Sequence, residues 1–284
     1  MAKKTQSTIV APKTKGVRWM EFKRLLPLYI LLIPAVVYML VFKYYPMYGA
    51  QIAFRDYKIA KGMLGSEWVG LKWFVKFIND YQFGMLLRNT LTVSIYGLVV
   101  GFIMQTVLSL SMNCMRGKYL KRTIQTVTYM PHFISTVVLV GIIISFTNPN
   151  KGAISQIIQM FGGIDRDLMG MANAIPHLYV WSDVWQNVGW NTILFVATLT
   201  SVDPELHEAA IIDGATRLKR VFHIDLPMLM PTMVIMLILN AGRIMSVGYE
   251  KMLLMQNDLN LGTTQIITTY VYNQGISSAT PKYS

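Results

Sequence analysis

The sequence predicts an all-α, multi-span (polytopic) membrane protein, and three observations carry that expectation. Of 284 residues, 53% are hydrophobic and only 14% charged, against about 25% charged in ordinary soluble domains. The mean hydropathy is +0.41. The charged residues are gathered in clusters, which leaves long stretches without Asp, Glu, Lys or Arg. A helix needs roughly 20 residues to cross a bilayer core. These features exclude a disordered chain, a disulfide framework and a typical soluble enzyme. The single cysteine, Cys114, reads as an apolar packing residue.

The elements follow in order from the charge gaps. Residues 1–24 form a basic tail with Lys3, Lys4, Lys13, Lys15, Arg18, Lys23 and Arg24 against Glu21. The positive-inside rule places this N-terminus in the cytoplasm. The apolar run after it is long for a signal peptide and lacks a small-residue cleavage site, so it reads as an uncleaved first span at 25–42. Pro27 and Pro34 are expected to kink that span. Residues 43–88 are then external, and within them "LKWFVKFI" (71–78) has the spacing of a helix lying on the membrane surface. Span two is 89–115. Arg116, Lys118, Lys121 and Arg122 mark a short cytoplasmic loop. Span three is 123–150. Asp165, Asp167 and Asp183 against Lys151 and Arg166 give an external segment. Span four is 184–202, a cytoplasmic loop covers 203–225, and span five is 226–242. Residues 25–284 thus form one transmembrane domain with no repeat or internal boundary. Five spans leave the C-terminus outside.

Several chemistries are missing. The Gly117–Lys118 pair has no upstream glycine at phosphate-loop spacing. His132, His177, His207 and His223 have no partner at metal-ligand spacing, and no G-x-S-x-G or H-E-x-x-H occurs. No catalytic residue and no metal site are expected. The five apolar stretches contain no Asp, Glu, Lys or Arg, which argues against a proton-coupled pump. Energy must arrive from a partner. The net charge of +12 is a topology signal rather than a nucleic-acid footprint.

The 203–225 loop, with its exit into span five, is the most informative segment: "SVDPELHEAAIIDGATRLKRVFHIDLPMLMP". Asp203 suits a helix N-cap and Pro204 its first turn. Leu206, Ala209 and Ala210 share a face. Gly214 ends the helix, because glycine takes the left-handed conformation cheaply. A second helix begins near Ala215 with an apolar stripe of Leu218, Val221 and Phe222. On the residues alone this is either a surface elbow or a docking element for a cytoplasmic partner.

The spacing of Glu208, Ala209, Ala210, Gly214, Ile224 and Pro227 resembles the signature loop of ABC-importer permeases, in the carbohydrate-uptake family related to the maltose permease subunits. "YMPHFIS" (129–135), "VWQNVGWNT" (184–192) and "DPELHEAA" (203–210) resemble the lipo-oligosaccharide subfamily, as do "RDYKIAKGMLGSEWVGLKWF" (55–74) and "VGYEKMLLMQN" (247–257). The resemblance implies a permease subunit for oligosaccharide uptake in a prokaryotic plasma (inner) membrane. Its implied partners are a second related permease, an ABC ATPase dimer and an extracytoplasmic sugar-binding protein. ATP would sit on the partner, and this chain would bind no cofactor. The family has six spans, so the sixth is expected to be missing from a chain with five.

Carried over, Glu208 meets polar groups of the ATPase cleft, Ala209 and Ala210 allow close packing, and Asp213 and Gly214 make the turn. Phe222 and Ile224 anchor the second helix and Pro227 sets the angle into span five. Arg243 and Glu250 fall where the family touches its binding protein, although ordinary solvated charges need no such role. Sugar sites combine aromatic faces with amides, which makes His132, Trp181, Trp185, Asn187, Trp190, Asn191 and Asn240 the pathway candidates. Each has a plainer reading: interfacial tryptophans, a histidine satisfying a freed carbonyl, an interhelical asparagine. The alternatives are the same importer class with another cargo (polyamine or glycerol phosphate), a secondary transporter, or an intramembrane transferase.

Overall fold

In the computed structural model, residues 15–115, 117–149, 151–161 and 167–277 are described. The tail before Lys15, Arg116, Asp165, Arg166 and residues 278–284 lie outside them. The chain divides into two compact units, one ending at Ile78 and one beginning at Asn79.

The first unit opens with α1 (Lys15–Met39), which runs on through Pro27 and Pro34. The irregular turns come later, as a π-helical turn at Leu40–Tyr44 and a 3-10 segment at Tyr48–Phe54. From Arg24 to Phe54 the helix is apolar and none of it is buried. Such a surface carries no exposure cost among lipid chains. A short hairpin follows that the all-α expectation omits: β1 (Arg55–Asp56) pairs antiparallel with β2 (Glu67–Trp68). Phe54 stacks on Trp68 and tilts against Phe74. The expected surface helix is α2 (Lys72–Ile78). Trp73 is drawn inward, its Nε1 donating to the Arg55 carbonyl at 3.1 Å, while Phe74, Val75 and Ile78 stay exposed.

The second unit is built on α3 (Phe83–Cys114) and α7 (Ile175–Thr200), which form its most extensive helix pair. The buried positions of α7 are Ile175, Val180, Val184, Gly189, Thr192, Phe195 and Leu199, a stripe at helical spacing. Those of α3 include Leu86, Thr90, Val93, Gln105, Ser109 and Met112. Hydroxyls on α3 donate back one turn, Thr90 to Leu86 and Ser94 to Thr90, both at 2.7 Å. This satisfies them without water. One apolar cluster joins Val93, Leu139, Ile175, Val180, Met252 and Ile266. A second joins Phe195, Leu199 and Leu229, with Phe102 edge-on to Phe195.

Two expectations are corrected. The apolar stretch 123–150 is not one helix: α4 (Lys118–Tyr129) and a 3-10 turn (Met130–Phe133) meet α5 (Thr136–Phe146) at 99°. Pro131 removes a donor at the break, and Ser135 caps the new helix through the Val138 N–H. α7 begins nine residues before 184, so Asp183 lies within a helix rather than bounding one. The described residues contain three single helices long and apolar enough to cross a membrane, and a fourth if the bent pair counts. α7, 26 residues long, carries Asp183 and Asn191 on its exposed side.

The other elements include α6 (Ala153–Met160), α8 (Pro204–Ile212), α9 (Arg217–Arg220), a π-helical turn (Val221–Asp225), α10 (Leu226–Ala241), α11 (Tyr249–Leu254) and α12 (Ile267–Tyr272). α10 corresponds closely to the expected fifth span.

Candidate functional site

The 203–225 loop folds as its residues dictate. Asp203 Oδ1 accepts the Glu205 N–H at 3.0 Å and Pro204 opens α8. At its end, Ala215 N–H donates to the Ala210 carbonyl at 2.8 Å and Gly214 takes φ +75°. That is the glycine-terminated closure expected of the sequence. Thr216 caps α9 through the Lys219 N–H. α8 has no buried residue; Leu206, Ile211 and Ile212 are exposed, Ile212 at 86%. Glu208, Ala209 and Asp213 are exposed as well. The helix therefore presents a mixed apolar and acidic face that the described residues leave uncovered. Phe222 is exposed, Val221 is buried and Ile224 is half-buried. The π-helical turn rotates the stripe by a residue, which the regular helical count misses.

Beneath this face lies a polar junction that sequence reasoning overlooked. Asp225, 3% exposed, accepts from Asn113 Nδ2 at 3.0 Å and sits 3.3 Å from His207 Nε2. A cavity of about 460 Å³ beside it is lined by Glu208, Arg217, Arg220 and Cys114. The available signal was an acid, Asp225, two residues before Pro227 at the head of an apolar run.

The pathway candidates fall into three groups. His132, Asn187 and Trp190 come together: His132 Nδ1 lies 2.9 Å from Asn187 Oδ1, and its ring stacks on Trp190 with centroids 4.5 Å apart. Asn187 Nδ2 in turn donates to Asp183 Oδ1 at 3.0 Å. Asn191 and Asn240 line a cavity of about 320 Å³ with Gln105, Tyr179, Asp183 and Arg243. The Gln105 amide nitrogen is buried there without a hydrogen-bond partner. Trp181 and Trp185 stand apart, lining an apolar cavity of about 530 Å³ with Leu139 and Phe146. Trp181 Nε1 donates to Tyr96 Oη at 3.0 Å. No group of His, Cys, Asp and Glu suited to a metal occurs among the described residues.

Lys251 on α11 reaches into this region. It is buried, donates to the Tyr179 carbonyl at 2.9 Å, lies over the Tyr179 ring and stands 3.9 Å from Asp183. Burial pushes its amine down to about 8, against the opposing pull of Asp183. An unfolded lysine titrates near 10.5. Between those values the unfolded chain holds a proton that the folded chain lacks, so stability contributed at this site rises with pH. We expect the melting temperature of the solubilised protein, relative to Lys251→Met, to shift in favour of the native residue between about pH 8 and pH 10. A difference that moves the other way contradicts the assignment.

The family of binding-protein-dependent transport system inner membrane components matches residues 97–281. The chain is 41% identical to Protein LplB of Bacillus subtilis, over 95% of this chain and 85% of that protein. It is 38% identical to the Bacillus subtilis polygalacturonan/rhamnogalacturonan transport system permease protein YteP, over 90% of this chain and 80% of that one. A crystal structure of a bacterial alginate ABC transporter, in complex with an alginate pentasaccharide-bound periplasmic protein, superposes with a TM-score of 0.82 at 32% identity. It covers 91% of this chain and 86% of its own.

Proposed function

We infer the function from one premise: the chain belongs to the inner membrane components of binding-protein-dependent transport systems. It is an ABC-importer permease subunit and not an enzyme. Its cargo, in our reading, is an oligosaccharide. The observation that carries this is the near full-length likeness to a polygalacturonan/rhamnogalacturonan permease and to an alginate importer.

The proposed assembly adds a second permease, an ATPase dimer docked on 203–227 and an external sugar-binding protein. ATP stays on the ATPase, and the N-terminus is cytoplasmic. The exposed face of α8 supports the docking role, since an amphipathic helix with no cover of its own fits a partner's cleft. The His132–Trp190 stack and the amides around the 320 Å³ cavity support a hydroxyl-rich cargo.

ATP-driven uptake of labelled neutral and uronate oligosaccharides into proteoliposomes, with and without the binding protein, tests the reading. Accumulation of glycerol phosphate or a polyamine, and of no sugar, would replace the cargo assignment. Within the cavity, Gln105→Leu removes a donor that finds no partner in the empty protein. We expect half-saturation for sugar to rise about fivefold, one hydrogen bond's worth, while the empty protein melts no lower. Unchanged half-saturation would remove Gln105 from the site.

A further inference from the structure

We propose that Asp225, held by His207 and Asn113, is the joint that passes movement of α8 to the spanning helices. The proposal rests on the docking reading above. Three elements converge on one carboxylate oxygen: His207 from α8, Asn113 from the last turn of α3, and Asp225 at the head of α10. Asp225 is almost fully buried. A carboxylate removed from water is retained only when its partners compensate for the lost hydration. An apolar residue would fill that position at lower cost, so stability does not explain the choice. A bond that couples α8 to α3 and α10 does.

The backbone at this point suits a joint. Val221–Asp225 is π-helical, closed by the Leu226 N–H on the Val221 carbonyl. Such turns carry one residue more than the regular ladder and mark places where a helix changes register. The Nε of Arg220, one turn earlier, is buried without a hydrogen-bond partner. Arg220 lines the same cavity as Asp225 and His207. A shift of α8 that carries His207 away from Asp225 would leave the carboxylate half-satisfied, with Arg220 the nearest cation on its own helix to take up the bond. The junction thus has two arrangements available, which is what transmission between distant sites requires. These are positioning residues; none touches the cargo.

The test uses the whole importer in proteoliposomes and reads three quantities: ATPase retained on purification, ATP hydrolysed, and sugar moved per ATP. His207→Ala and Asp225→Ala are expected to keep the ATPase bound and to lower sugar per ATP roughly tenfold, a coupling loss of ordinary size. The double variant should be no worse than Asp225→Ala alone, because removing the carboxylate already removes its bond to His207. His207→Gln, which offers an amide donor at similar reach, should restore most of the ratio. If Asp225→Ala fails to fold, Asp225→Leu, which keeps the volume without the charge, paired with His207→Ala carries the same comparison. Unchanged sugar per ATP, multiplying effects in the double variant, or no rescue by glutamine would each overturn the proposal. A native chain that retains no ATPase overturns the docking reading first, and this one with it.

Discussion

Gly214→Val is expected to abolish uptake while leaving the chain inserted and folded. Gly214 takes φ +75°, and a side chain built there meets nothing within 4 Å. The cost is therefore conformational and not steric. A β-branched residue in the left-handed region is strained by about 1–3 kcal/mol, and the turn after α8 relieves that strain by opening. The Ala215 to Ala210 bond that closes α8 is then lost, and the face we propose to dock on the ATPase changes its orientation. The series separates conformation from bulk. Gly214→Asn, which tolerates the left-handed region, should keep most activity, Gly214→Ala should fall between, and Gly214→Val should transport at least tenfold less per ATP. Normal uptake by the valine variant would remove the docking role.

That turn was legible because everything deciding it is local. The N-cap, the proline in the first turn and the closing glycine lie within a dozen residues, and each acts on its own backbone. The apolar stretches were legible for a similar reason, since charge is read off each stretch separately, although the helices at 123–150 and 184–202 have other bounds than the charge gaps gave. What went wrong was what depends on a second segment. Asp183 looked like a boundary because a bare carboxylate cannot sit inside an apolar helix. Its compensation by Lys251 and Asn187 becomes visible only when α11 folds back on α7.

The bend at 130–135 is a different failure. Pro131 and Ser135 stood in the sequence, but counting charges is blind to backbone hydrogen bonds. The pathway candidates divided for the same reason as Asp183. Residue type named His132, Trp181, Trp185, Asn187 and Trp190 together, whereas position around α7 sends Trp181 and Trp185 to an apolar wall and turns Asn187 and Trp190 toward His132 of the 3-10 turn. Asp225 stayed hidden because its role lies in the elements it joins, and these are distant along the chain.

Gly189 shows how far such a contact controls the rest. A Cβ placed there would lie 2.1 Å from the Thr128 carbonyl oxygen and 2.4 Å from its carbon. Both belong to the backbone of α4, so no side chain can swing aside. In a helix interior, replacing glycine by alanine ordinarily stabilises by roughly 0.5–1 kcal/mol. At Gly101 of α3, where nothing lies within 4 Å of the built Cβ, Gly101→Ala should follow that rule and raise the melting temperature slightly. Gly189→Ala should reverse the sign, since α4 and α7 must separate by about an ångström and the cost of overpacking is about 3 kcal/mol or more when backbone is the obstacle. The consequence extends to function, because His132 reaches Asn187 and Trp190 across this crossing. We expect Gly189→Ala to lower the melting temperature of the solubilised protein and to reduce uptake at saturating sugar. If it melts like Gly101→Ala, α4 and α7 are not in contact at Gly189, and the His132–Asn187 contact that depends on their crossing would have to be rebuilt from another helix pair.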